Sequence, residues 1–277
     1  MRADPLRTYL SPIQQALSEA FHQNPLKLIH QPGSRWMIRH TIHHASLWRS
    51  RWVFHCKQLL QDNQAYTPHC IVLELLYAAI ELHNQIDHTD PTLPSKAPSL
   101  LMEADQAILL GDFMYTLAFQ QMLTLKDPNI LHAFAIAMQT MAEAELEIQQ
   151  AIEAYDLPHL IQGINQKSMP LFTIATQWFK TPRTAMSEAL EQLAICFSNL
   201  CWLDKLKRGT LLLPATALRY LHTAKAKQSL LEATRKNKQT ALEMIQYFAE
   251  NQSGILTQGL LKDIQDLSGE SALKNGV

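Results

Sequence analysis

The chain of 277 residues, 47% of them hydrophobic and 8% aromatic, exceeds the commonest domain size and can bury about three quarters of its unfolded surface around one core. Charged residues make up 18% and nearly cancel, 24 Lys and Arg against 25 Asp and Glu, which argues against a disordered chain and against a general electrostatic affinity for nucleic acid. Eight glycines are under half the usual share of about 7%, too few for the tight turns of a many-stranded sheet or for a Rossmann phosphate loop.

Met1-Arg2-Ala3-Asp4-Pro5 carries no apolar leader, and Cys56, Cys70, Cys196 and Cys201 form no C-x-x-C pair, so a reduced, cytoplasmic protein is expected. No run reaches the roughly 18 uninterrupted apolar residues of a membrane span, since even Leu73–Leu82 contains Glu74 and Glu81. Apolar residues recur at helical spacing almost throughout, predicting helices over 11–22, 41–61, 68–88, 100–123, 128–154, 158–179, 183–203, 211–222, 237–251 and 255–267. Ile130, Phe134, Met138, Met141, Ile148 and Ile152 form one stripe; Met186, Leu190, Leu193, Phe197 and Leu200 form another. Thr67-Pro68, Asp127-Pro128, Asp156 with Pro158, and Thr181-Pro182 supply the start signals between them. The helices over 68–88, 100–123 and 183–203 are apolar on more than one face, as expected of the middle of a bundle. Asp90 to Ser99 is rich in proline and reads as a surface loop, and 223–240 is the most basic short stretch, with Lys225, Lys227, Arg235, Lys236 and Lys238. An all-α class with one domain over 1–277 follows.

Several segments, in order, resemble the trans-polyprenyl diphosphate synthases. Leu73-Glu74-Leu75-Leu76-Tyr77-Ala78-Ala79-Ile80-Glu81-Leu82-His83 is similar to the helix E-L-x-H-x-A-S-L-x-H-D-D that leads into the family's first aspartate-rich motif. Ala107-Ile108-Leu109-Leu110-Gly111-Asp112-Phe113 is close to A-I-L-A-G-D-F, and Ile164-Asn165-Gln166-Lys167-Ser168-Met169-Pro170-Leu171-Phe172 to I-x-x-K-T-A-x-L-F. Arg208-Gly209-Thr210-Leu211-Leu212-Leu213-Pro214 resembles the G-K-x-T-L-P segment; the likeness is clearest over 30–220, with C-terminal helices over 223–277.

The resemblance implies a large helical bundle of the isoprenoid synthase type, pairing into a dimer, in which three Mg²⁺ ions on two Asp-Asp-x-x-Asp motifs meet the charge developing on a departing diphosphate. In this sequence the first motif reads Asn84, Gln85, Ile86, Asp87, His88, Thr89, Asp90, with amides in place of the first two aspartates. The second reads Asn199, Leu200, Cys201, Trp202, Leu203, Asp204, with no adjacent acidic pair. Asp87 and Asp90 are the remaining metal candidates. Lys167 falls on a family diphosphate contact, and Arg35 is the best counterpart of the basic G-G-K-x-x-R-P segment. The expectation is therefore a polyprenyl synthase-like protein of isoprenoid biosynthesis that has lost its catalyst. It would act as a non-catalytic or regulatory subunit, as a homodimer or beside an active synthase, without a cofactor. The alternatives are an active prenyltransferase with an atypical Mg²⁺ site, and a carrier of prenyl diphosphate or another apolar ligand.

Other constellations have plainer readings. His83, Asp87 and His88 offer ligand types on neighbouring turns, but the polar mouth of an old cleft explains them equally. Arg35, Trp36, Arg39, Trp48, Arg49, Arg51, Trp52 and His55 interleave cations and rings as nucleic-acid sites do, yet they point several ways on a helix, and Trp48 and Trp52 read as anchors to the core or to a partner. Glu143, Glu145 and Glu147 read as a solvated face, Cys196 and Cys201 as buried thiols. Met102, Met114, Met122, Met138 and Met141 fit either a prenyl-chain tunnel or ordinary core.

Overall fold

A computed structural model describes residues 4–22, 47–84, 104–179, 184–208, 217, 220–221, 223–251 and 258–268. Among them are ten helices and no strand: α1 (Pro5–His22), α2 (Trp48–Leu60), α3 (Thr67–His83), α4 (Ala104–Leu125), α5 (Pro128–Glu153), α6 (Leu157–Ser168), α7 (Pro170–Gln177), α8 (Thr184–Arg208), α9 (Ala224–Asn251) and α10 (Gln258–Ser268). No described helix is long and apolar enough to cross a membrane.

Most boundaries follow the start chemistry. The Asp156 carboxylate accepts the His159 N–H at 3.2 Å to open α6, with Pro158 in the first turn. Asp127 accepts the Asn129 N–H at 2.9 Å ahead of α5, and Pro68 sits in the first turn of α3. Three expected spans change. Asp4 accepts the Leu6 N–H at 3.1 Å, so α1 begins at Pro5 instead of 11. The single helix expected over 158–179 divides between Ser168 and Pro170, because a proline has no N–H to continue the ladder. The basic stretch 223–240, most of which precedes the expected span 237–251, forms the first part of the long helix α9 from Ala224 on. The expected helix 211–222 and the loop from Asp90 to Ser99 lie outside the described residues, apart from Ala217, Tyr220 and Leu221.

The chain divides into two compact units. Unit 1 takes Met1–Phe54, Ala65–His132 and Leu212–Ala215. In it α1 and α4 pack on α3, whose residues from Cys70 to Leu82 are nearly all buried, as its many-sided apolar pattern requires. Trp52 is fully buried and Arg49 is 5% exposed, its Nε 3.0 Å from Glu74 Oε2 and its guanidinium over the Tyr77 ring. Glu74 also accepts the Ser50 N–H and hydroxyl, each at 2.9 Å, so this buried pair is fully engaged. Arg51 lies over the Trp48 ring. The cation-and-ring pattern of α2 is thus largely anchoring, as its scattered directions suggested. By contrast α4, expected in the middle of the bundle, exposes Ile108, Leu109, Phe119 and Leu123 along one side.

Unit 2 takes His55–Gln64, Ala133–Leu211 and Thr216–Val277. Its hub is α8, against which α6, α7, α9 and α10 all pack. Phe197, fully buried, meets the Phe172 and His55 rings edge-on at 5.9 and 6.1 Å, contacts of a kind worth about 0.5–1.5 kcal/mol each beyond burial. His55 Nε2 lies 2.7 Å from Asp263 Oδ2, both buried, tying the end of α2 to α10. Gly163 is where α6 comes closest to α5: a Cβ there would lie 2.8 Å from Ile148 Cγ1 and 3.3 Å from its backbone nitrogen. Met114 and Met122 are buried in unit 1 and Met141 in unit 2, where each fills core; Met102 lies outside the described residues.

Candidate functional site

Two helix ends carry the residues singled out in the sequence, one in each unit. In unit 1, α3 ends at His83, and Asn84 takes the cap position with its N–H on the Ile80 carbonyl at 3.0 Å. His83 Nε2 lies 3.2 Å from Asp112 Oδ1 and 3.4 Å from the Ile108 carbonyl oxygen, and the ring stands 5.3 Å from that of Tyr115. Gly111 makes room for it: a Cβ at that position would stand 2.4 Å from two atoms of the imidazole. Burial, helped by the Asp112 carboxylate, pushes the Tyr115 phenol up to about 12, so it stays a neutral hydrogen-bonding group at ordinary pH. Gly111 and Asp112, of the segment similar to A-I-L-A-G-D-F, both meet His83. Gln85, Asp87, His88 and Asp90, like Arg35, lie outside the described residues.

In unit 2 the face of α8 after Phe197 is closed by neutral contacts. Asn199 donates from Nδ2 to Asn237 Oδ1 of α9 at 3.0 Å, and the Trp202 indole N–H donates to Asn165 Oδ1 of α6 at 2.7 Å. Cys201 and Trp202 are both buried. Asp204 is 8% exposed, and its two oxygens lie 2.9 and 2.8 Å from Arg208 Nε one turn on. Mg²⁺ takes oxygen ligands, chiefly carboxylates, water and phosphate, whereas this face offers amides, a thiol, an indole and one carboxylate already paired. The donor set on α8 does not fit that ion. Among the described residues no group of three or more His, Cys, Asp or Glu is placed to hold a metal.

Lys167, near the end of α6, is ion-paired with Glu145 of α5, both side chains mostly buried. The reading of Glu145 as part of a solvated face is thereby corrected: Glu143 and Glu147 are exposed, but Glu145 turns towards α6 and meets the ammonium. An anionic ligand at Lys167 has to displace that carboxylate or share the cation with it. The Cys196 thiol, buried, is pushed up to about 11 against the weaker pull of Lys236, so it is not a nucleophile at neutral pH. All four cysteines are buried and none is in a disulfide. Glu145, Asn165 and Asn237 are the residues sequence reasoning missed as parts of this arrangement; Asn165 lies within a segment already singled out, while nothing marks Asn237 or the partner of Lys167.

The architecture is that of known enzymes. The structure aligns with a heptaprenyl diphosphate synthase from Staphylococcus aureus at TM-score 0.72, covering 96% of this chain and 98% of that one at 16% identity. The chain has the trans-prenyl diphosphate synthase fold. A geranylgeranyl pyrophosphate synthase from Lactobacillus brevis aligns at TM-score 0.70, covering 96% and 97% at 15% identity, and a geranyltranstransferase from Methanosarcina mazei at 0.68, covering 98% of each at 13%. In sequence, an octaprenyl diphosphate synthase from Escherichia coli is 25% identical over 119 residues, a match that spans 42% of this chain and 37% of that enzyme. No established family profile matches the chain. The all-α isoprenoid synthase bundle expected from the sequence is thus observed.

Proposed function

We propose that the chain is a non-catalytic subunit of isoprenoid biosynthesis, a prenyl diphosphate synthase bundle that works in the cytoplasm beside an active synthase or as a homodimeric scaffold. The observation that carries this reading is the neutral closure of α8. Ionising an allylic diphosphate places charge on the leaving group, and groups that meet this charge are each worth about 10²–10³ in rate when removed singly. Here the Asn199 amide N–H and the Trp202 indole N–H are used on Asn237 and Asn165, and Lys167 is met by Glu145. Among the described residues of α6 and α8, these polar side chains bind helices to one another. The apolar stripe of α4, Ile108, Leu109, Phe119 and Leu123, supports association with a second subunit.

This reading requires no cofactor. The purified chain, given allylic and isopentenyl diphosphates with Mg²⁺, is expected to release no pyrophosphate above the uncatalysed rate. Captured from its native cell it is expected to bring down a catalytically complete synthase whose rate or product changes when the two are combined. Turnover by the isolated chain would overturn the proposal and favour an enzyme working through Asp87, Asp90 and Asp112 with Mg²⁺. Co-purified lipid without any protein partner would instead favour an apolar-ligand carrier.

A further inference from the structure

A pocket of about 390 Å³ lies within unit 2, between the last turns of α8, Leu221 and the first turns of α9. Leu203, Leu206, Leu221 and Leu230 form its apolar wall, and Lys207 and Lys227, both exposed, line it as well. Among the described lining residues Thr234 is the other polar one, but it is buried and its hydroxyl is used on the Leu230 carbonyl at 2.8 Å. Of these residues, the two lysines supply the ammonium groups for polar recognition.

The charge around the pocket is one-sided. The last turn of α8 carries Lys205, Lys207 and Arg208 with Asp204, and the first turn of α9 carries Lys225 and Lys227 and no acid. Cations suit the C-terminal end of a helix, but at an N-terminal end they oppose the helix dipole by about 0.3–1 kcal/mol each, so Lys225 and Lys227 are placed against the local field. Burial holds the Lys207 ammonium below the usual lysine range while Asp204 pulls it the other way, and its Nζ donates to the Ser268 carbonyl at 3.3 Å. An anion brought to this end of α9 relieves the unfavourable placement of both lysines.

We propose that this pocket binds a small amphipathic anion, with a short apolar chain between the leucines and a phosphate-type head group on Lys207 and Lys227. Its volume lies near the lower end of the roughly 300–1,000 Å³ typical of ligand pockets, which selects short chains. The proposal rests on the lining of this pocket and not on whether the chain is catalytic.

The test is calorimetric titration of the full chain with octyl phosphate, octanol and inorganic phosphate in parallel. Saturable binding of octyl phosphate is expected, with octanol and phosphate each at least about tenfold weaker, because either one forfeits half of the contacts. Lys207→Gln/Lys227→Gln is expected to weaken octyl phosphate at least about tenfold, and Leu231→Glu, at an exposed position on the pocket wall, to abolish binding. Lys126→Gln, an exposed lysine of unit 1, is expected to change nothing, and unchanged circular dichroism shows that the variants fold. Absence of saturable binding to the native chain, or equal binding by the double lysine variant, overturns the proposal. So does sedimentation with phosphatidic acid vesicles in place of soluble binding, since that outcome describes a basic membrane surface. Prenyltransferase turnover by the isolated chain would sink the proposed function while leaving this result untouched.

Discussion

The two helical glycines in tight contacts separate two kinds of close approach. Replacing either by alanine gains about 1 kcal/mol of helix propensity. At Gly163 the new methyl meets Ile148 Cγ1 at 2.8 Å with the Ile148 backbone directly behind, and overpacking of that kind costs about 1–3 kcal/mol. At Gly111 the obstacle is the imidazole of His83, a side chain 31% exposed that can swing aside. Gly163→Ala is therefore expected to destabilise the chain by up to about 2 kcal/mol in urea unfolding, and Gly111→Ala to stay within about 1 kcal/mol of the native value while the His83 resonances shift. Titration adds a second expectation. Burial holds His69 below its ordinary range against the pull of Asp127, so the unfolded chain takes up a proton first and stability falls as pH drops below about 6.5. Cys196 and Tyr115 are raised, to about 11 and about 12, so the unfolded chain releases these protons first and stability falls as pH climbs from 9.0 for the thiol and 10.0 for the phenol. Thermal midpoints measured from pH 5 to 11 are expected to decline at both ends, the alkaline decline being opposed in part by Lys207, whose ammonium burial holds below the usual range; a midpoint that does not fall from pH 7 to pH 5 would contradict the burial of His69.

At the scale of the helix, starts were easier to read than stops. Thr67-Pro68, Asp127-Pro128 and Asp156 with Pro158 announce α3, α5 and α6 by chemistry that works within four residues, and the structure places each there. The break at Pro170 was hidden because Leu160, Ile164, Leu171 and Ile174 keep an apolar face on both sides of it. The start of α9 was hidden because its first turns hold Ala226 and Leu230 as their buried residues, too sparse a stripe to register, and carry cations where acids are customary. Site residues were legible in proportion to locality: Asn199, Trp202 and Lys167 stand in recognisable segments, whereas Glu145 and Asn237 act across distant stretches of chain that no spacing connects. The joint between α2 and α10 is of the same non-local kind. Asp263→Ala leaves His55 buried without its carboxylate, and a loss of about 1–3 kcal/mol is expected, with faster amide exchange concentrated in α10. Protection of α10 equal to that of the native chain would show that the helix is held by its leucines alone.

At the scale of the molecule, the likeness to prenyl synthase structures covers nearly the whole chain, while sequence identity stays between 13% and 16%. Bundle packing survives such divergence because it asks for apolar volume at helical spacing, a demand met by many residue combinations. The exposed stripe of α4 predicts assembly: the chain is expected to sediment as a dimer or larger species, and Leu109→Glu/Leu123→Glu, at positions 57% and 69% exposed, to yield a folded monomer. A native chain that sediments as a monomer at micromolar concentration would remove the stripe as an argument for a partner. The neutral clasp of Trp202 on Asn165 has one more consequence. The amide and indole groups that meet there carry no net charge, so the closure of α6 and α9 on α8 through them is expected to be as firm in the presence of a chelator as without one.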